Sequence, residues 1–129
     1  MNREYQIYRN IAYYLRLQYP KVLYHFDPTG LNLSKTQSGQ LKAIQGGKGY
    51  PDLFIIERSK DGKYNGLFLE IKAEGTRLLD KTRSNYANDH LTDQAMFLYE
   101  LSKRGFKAEF GVGFDECMKV IDNYLRNSS

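Results

Sequence analysis

The sequence is poor in the residue types that make ready chemical sites. Its one cysteine, Cys117, has no partner for an internal disulfide and none for a thiolate metal centre. It falls on the apolar stripe of the last expected helix and reads as a buried structural residue. The only histidines are His25 and His90. His25 lies in an expected strand and is assigned a structural role; His90 precedes a helix, in position to face a cleft, with no catalytic role assigned. No apolar run approaches the roughly 20 residues that a bilayer span requires, and the opening "MNREYQIYRN" lacks the apolar core of a signal peptide. A cytoplasmic protein without membrane contact is expected. No internal repeat, low-complexity tract or linker divides the chain. Its 129 residues suffice for one domain with a real core and are too few for two, so a single domain over 1–129 is expected.

What the sequence does hold is ordinary for a soluble globular protein, with 41% hydrophobic and 26% charged residues. The formal charge of +4 suits an anionic partner such as nucleic acid. Residues 3–18 carry apolar side chains at 7, 8, 11, 14 and 15, the spacing of an amphipathic helix, with Asn2 as a cap and Pro20 just past its end. "KVLYHF" reads as a short strand, and a short helix fits around 36–44. "PDLFIIE" and "GLFLEIK" are joined by "RSKDGKYN", whose Asp61-Gly62 is a turn signal, and read as a β-hairpin. Residues 76–90 are polar and read mostly as loop. "LTDQAMFLYELSKRG" reads as a helix closed by Gly105, "KAEFGVG" as a fourth strand, and "DECMKVIDNYLRN" as a last helix with apolar residues at 117, 118, 121, 124 and 125. Both hairpin strands are apolar on both faces, which implies a covered sheet. The expected fold is α/β, an α-β-β-β-α-β-α sandwich with a central mixed sheet flanked by helices.

Three charged residues stand against those apolar runs. Strand side chains alternate, so Glu70 and Lys72 share a face while Leu67, Leu69 and Ile71 take the other. Asp52 opens its strand on the face of Phe54 and Ile56. Pairing Asp52 with residue 70 or 72, through a turn centred on Asp61 or Gly62, brings all three to the sheet end away from the turn. Pairing it with Ile71 separates the acids. Adjacent carboxylates make a hard oxygen site suited to Mg²⁺. A neighbouring lysine can neutralise phosphate charge or hold a water, and the cation can polarise a phosphoryl oxygen. Acids and lysines also occur at the solvated ends of ordinary strands. The whole arrangement, "PD", an apolar strand, a turn and an apolar strand ending "EIK", points instead to a site for cutting a phosphodiester.

At these residues the chain resembles the PD-(D/E)xK nuclease superfamily, with Pro51-Asp52 and Glu70-Ile71-Lys72 as the motif. "GKGYPDLFII", "LFLEIKAEGTRL" and "LTDQAMFLYELSKRGFKAEFGVGFDECMKVIDNYL" resemble its VRR-NUC family, over roughly residues 3–125. The resemblance implies a restriction-endonuclease-like fold and Mg²⁺- or Mn²⁺-dependent cleavage of DNA, structure-selective toward branched, flap or four-way junction substrates, in a phage or mobile-element setting. It implies that Asp52 and Glu70 bind the metal with Glu4 and the Ile71 carbonyl, that Lys72 is the catalytic lysine, and that Gln94 assists from the following helix. The 76–90 segment is longer than the link the family leads one to expect. Without the family, Glu4 reads equally as a favourable first-turn acid, and Gln94, on the stripe of Leu91, Leu98 and Leu101, as a buried amide bonded to a strand edge.

Lys35, Lys42 and Lys48 before the motif, and Arg77, Lys81 and Arg83 after it, are expected to lie along nucleic-acid phosphates without reading bases. Eleven tyrosines include Tyr5, Tyr8, Tyr13, Tyr14 and Tyr19 on or beside the first helix, more than one side of it can bury. A homodimer is therefore expected. A non-cleaving DNA-binding module and an RNA-directed nuclease are the competing readings.

Overall fold

The computed structural model describes residues 3–28, 31, 33–47 and 49–127. Its centre is the anticipated hairpin. Strand β2 (Leu53–Ile56) and strand β3 (Leu67–Lys72) run antiparallel, with Leu53 opposite Leu69 and Ile55 opposite Leu67. That register centres the turn on Asp61, and Gly62 supplies the positive φ of 77° that the reversal needs. Strand β1 (Leu23–Phe26) joins β2 antiparallel on the outside, and strand β4 (Lys107–Val112) joins β3 parallel on the other, giving the order β1-β2-β3-β4. The mixed sheet is thus the one expected from the sequence.

Side-chain alternation divides the sheet into two unlike faces. Leu53, Ile55, Leu67, Leu69 and Ile71 are wholly buried on one. There they meet Ile7, Ile11 and Leu15 of helix α1 (Arg3–Gln18) and Cys117 and Ile121 of helix α4 (Phe114–Asp122). Each fully buried aliphatic side chain contributes about 1.5–3 kcal/mol, so this layer holds the fold. Cys117 is buried as expected, and desolvation pushes its thiol pKa up to about 12. The fit is tight enough to dictate Gly111 in β4, where a Cβ would stand 2.6 Å from the Cys117 sulfur. The opposite face carries Phe54, stacked on Phe68 at 4.2 Å between centroids, with Phe106 edge-on to both. Helix α3 (Asp89–Lys103) covers it with Leu91, Gln94, Leu98 and Leu101. This face is less completely shielded, and Ile56 stays exposed.

Helix α2 (Lys35–Ile44) lies where a short helix was expected, started by a capping box between Ser34 and Gln37. α3 begins at Asp89, two residues before the apolar periodicity, because Asn88 caps it by accepting the Leu91 N–H at 2.9 Å. His90 therefore lies inside the helix. Gly105 closes α3 at φ 92°. α4 is shorter than the sequence suggested and ends in a π-helical turn, Asn123–Asn127. The 76–90 segment is not a plain loop. Leu79 pairs with Tyr86, Ala87 donates to Leu78 and Asp80 to Asn85 at 2.8 Å, so it forms a small hairpin turned through Arg83 at φ 59°. Among the described residues, no helix is long and apolar enough to cross a membrane. Asn2, the expected cap of α1, lies outside the described residues.

Candidate active site

The register decides where the charges go. Leu53 opposite Leu69 sets Asp52 opposite Glu70, so the two acids share a face rather than being split by the sheet. Asp52 ends the β2 ladder, and its backbone carbonyl still accepts the Asp27 N–H at 2.8 Å. Its side chain is fixed at both oxygens: Oδ2 accepts the Ile71 N–H at 2.7 Å and Oδ1 the Tyr8 hydroxyl at 2.5 Å. Asp52, Glu70 and Lys72 are all buried, and Lys72 Nζ lies 4.0 Å from Glu70 Oε2.

One step further along the register, Pro51 falls opposite Ile71. In an antiparallel ladder the N–H and C=O of one residue point to the same neighbour. Ile71 therefore turns both groups toward residue 51, which as proline has no N–H to give. The Asp52 carboxylate takes the Ile71 N–H, and the Ile71 carbonyl meets no backbone donor there. Proline at position 51 thus withholds the donor that an antiparallel partner would give the Ile71 carbonyl.

The electrostatics follow from burial. Glu70 is raised well above the ordinary carboxylate range, first by desolvation and then by Asp52, which lies within hydrogen-bonding reach and repels a second negative charge; Lys72 opposes the rise. Glu4, at the start of α1, is also raised by burial and by Asp52, with Lys72 and His90 pulling it down. The N-termini of α1 and α3 thus converge on the end of β3. Gln94 is buried on the sheet-facing stripe of α3, and its Oε1 has no hydrogen-bond partner.

This donor set fits a hard divalent cation. Two adjacent carboxylates and the Ile71 carbonyl, which Pro51 cannot meet with an N–H, would match the oxygen coordination of Mg²⁺ or Mn²⁺ when completed by water. Among the described residues, no three His, Cys, Asp or Glu side chains gather into a group that could by itself hold a metal ion.

The expected flanking cations divide in two. Arg77, Lys81 and Arg83 are exposed on the small hairpin after β3. They line an open groove of about 800 Å³ that reaches Val112, the residue paired with Lys72. Lys35 and Lys42 are exposed on α2, and Lys48 lies outside the described residues. The tyrosine surplus is smaller than the sequence suggested, because Tyr8 serves Asp52, and Tyr14 and Tyr19 both donate to Asp122. Tyr8 is the residue that sequence reasoning missed. It stands four positions after Glu4 on the inward side of α1, and that phase was the available signal.

The chain superposes on a solved structure described as "VRR_NUC domain protein" with a TM-score of 0.66, at 24% sequence identity, covering 98% of this chain and 90% of that one. No family model matches the chain, and no curated protein does.

Proposed function

We propose that the protein is a metal-dependent nuclease of the VRR-NUC family, within the PD-(D/E)xK superfamily, that hydrolyses phosphodiester bonds in DNA. One observation carries this reading: two buried carboxylates held side by side at a strand end, one fixed by the Ile71 N–H, with a buried lysine 4.0 Å from the other. A surface ion pair would need neither the burial nor the backbone clamp. The solved structure of similar fold, a VRR_NUC domain protein, agrees with the reading.

Asp52 and Glu70, with the Ile71 carbonyl, would hold Mg²⁺ or Mn²⁺, and Glu4 would reach it through water. The bound cation supplies Lewis-acid polarisation of the phosphoryl oxygen and a more acidic water. Tyr8 and the Ile71 N–H keep the Asp52 carboxylate in one orientation. Lys72 meets the negative charge that develops on the phosphoryl oxygens as water attacks phosphorus and the bond to the leaving oxygen breaks. Gln94 offers an unpartnered acceptor in the same layer. Arg77, Lys81 and Arg83 on one side and Lys35, Lys42 and Lys48 on the other lie along phosphates, so binding weakens steeply with salt. Selectivity for branched, flap or four-way junction DNA, and a homodimer that sets two sites on one substrate, complete the proposal; both rest on the family resemblance, and Tyr5 and Tyr13 remain exposed for such an interface.

The test is digestion of plasmid and of a panel of duplex, flap, single-stranded, junction and RNA substrates with Mg²⁺ or Mn²⁺. Cleavage is expected with the cation and lost in EDTA, in Asp52→Ala and in Glu70→Ala, with far-UV circular dichroism unchanged. Full activity in either variant or in EDTA refutes the reading, and cleavage of RNA alone replaces the substrate. Sedimentation with junction DNA showing only monomer removes the dimer.

A further inference from the structure

Helix α2 raises a physical question that the fold does not answer. It is ten residues long and has a complete capping box, yet none of its residues is fully buried, and among the described residues no other helix or strand packs extensively along it. Isolated helices of that length are marginal in water, and most helices in proteins are held by burying an apolar face. Of the leucine and isoleucine in α2, Leu41 is only half-buried and Ile44 is 79% exposed.

Its charge is one-sided. Between Asp27 and Asp52 the chain has no acidic residue, and α2 carries Lys35 and Lys42. Seven residues apart, these sit two turns from each other on the same side, about 10 Å along the axis. Neither has an ion-pair partner among the described residues. Between them, on the same exposed side, lies Gly39, where a Cβ would meet nothing within 4 Å. Glycine inside a helix costs about 1 kcal/mol relative to alanine, and nothing in the free protein requires it here. From its C-terminus the chain runs through Gly47 and Tyr50, whose ring packs on Phe97 of α3 at 4.7 Å, directly into Pro51-Asp52. Whatever α2 grips is thereby tied to the site.

We propose that α2 is a substrate strap: a helix that contributes to grip rather than to the fold, and seats a nucleic-acid phosphate backbone on its Lys35–Gly39–Lys42 side. The proposal rests on the nucleic-acid reading above. The occupant follows from charge complementarity, since a helix side with two unpaired cations, no acid and a side-chain-free gap between them fits a closely approaching polyanion.

The test measures binding of a labelled DNA duplex by fluorescence anisotropy in EDTA, across a salt series, so that cutting plays no part. Lys35→Ala/Lys42→Ala is expected to reduce the slope of log K against log salt by about 1.8, near 0.9 per phosphate contact. Gly39→Leu fills open space without strain and favours the helix, so its melting temperature should not fall. It should still weaken binding about tenfold by displacing a charged contact. Wild-type affinity and slope in both variants overturn the proposal, as does a lowered melting temperature in Gly39→Leu, which would show α2 packed on the body. Binding to anionic vesicles but not to duplex also overturns it. If the wild type binds duplex and the variants lose it while no substrate is ever cut, the strap stands and the nuclease reading fails. If the wild type cuts DNA and the variants bind normally, only the strap fails.

Discussion

Replacing Glu70 by glutamine should stabilise the metal-free protein and remove its response to divalent cations. Two carboxylates buried side by side cannot both ionise cheaply, and Glu70 bears the cost. Its folded-state pKa lies above the unfolded value of 4.5. The folded protein therefore binds the extra proton, and this group's contribution is fully present below pH 4.5 and is lost as pH rises toward the folded value. At about pH 8 the wild type carries that penalty in the absence of metal. Glutamine keeps the shape, and its amide N–H can donate to Asp52 as the shared proton does. The gain is about 2 kcal/mol, or roughly 6–10 °C in melting temperature for a chain of this size. With Mg²⁺ the order reverses. A cation at about a hundred times its Kd stabilises the wild type by about 3 kcal/mol, and the variant, short of one ligand, gains little. Differential scanning fluorimetry of both proteins across pH, with EDTA or with MgCl₂, reads all of this. A melting temperature that falls in Glu70→Gln with EDTA at alkaline pH, or an equal Mg²⁺ response in both proteins, refutes the reasoning.

Tyr8→Phe strips one oxygen of Asp52 of its donor in a buried position; a stability loss of about 1–3 kcal/mol and Mn²⁺ affinity lower by about 10–100-fold are expected by calorimetry. Pro51→Ala restores an N–H opposite the Ile71 carbonyl and should weaken Mn²⁺ binding in the same titration; undiminished affinity would remove that carbonyl from the ligand set. Gly111→Ala places a methyl 2.6 Å from the Cys117 sulfur and should cost about 1–3 kcal/mol in urea unfolding, with Cys117→Ala recovering part of it.

The architecture was legible because its signals were local. Apolar runs on both faces of "PDLFIIE" and "GLFLEIK" called for a covered sheet, and Asp61-Gly62 narrowed the register to two choices that kept the acids together. The structure takes the one that sets Asp52 opposite Glu70. What escaped is long-range or disguised. Tyr8 meets Asp52 across 44 residues, and helical phase showed its side of α1 but not its partner. Tyr14 and Tyr19 looked like surface surplus because their acceptor, Asp122, lies at the other end of the chain. The hairpin in 76–90 turns through Arg83 in the left-handed region rather than through glycine, so it carried no turn signature. α3 starts earlier than its apolar residues because Asn88 caps it with its side chain, and the periodicity is silent on capping.

The central claim is that Asp52 and Glu70 together capture a divalent cation, and it is met most directly by crystals soaked in manganese and measured at its absorption edge. One anomalous peak is expected about 2 Å from a carboxylate oxygen of each acid and from the Ile71 carbonyl. Ordered acids with no peak between them, or a peak only at surface carboxylates, would contradict the account.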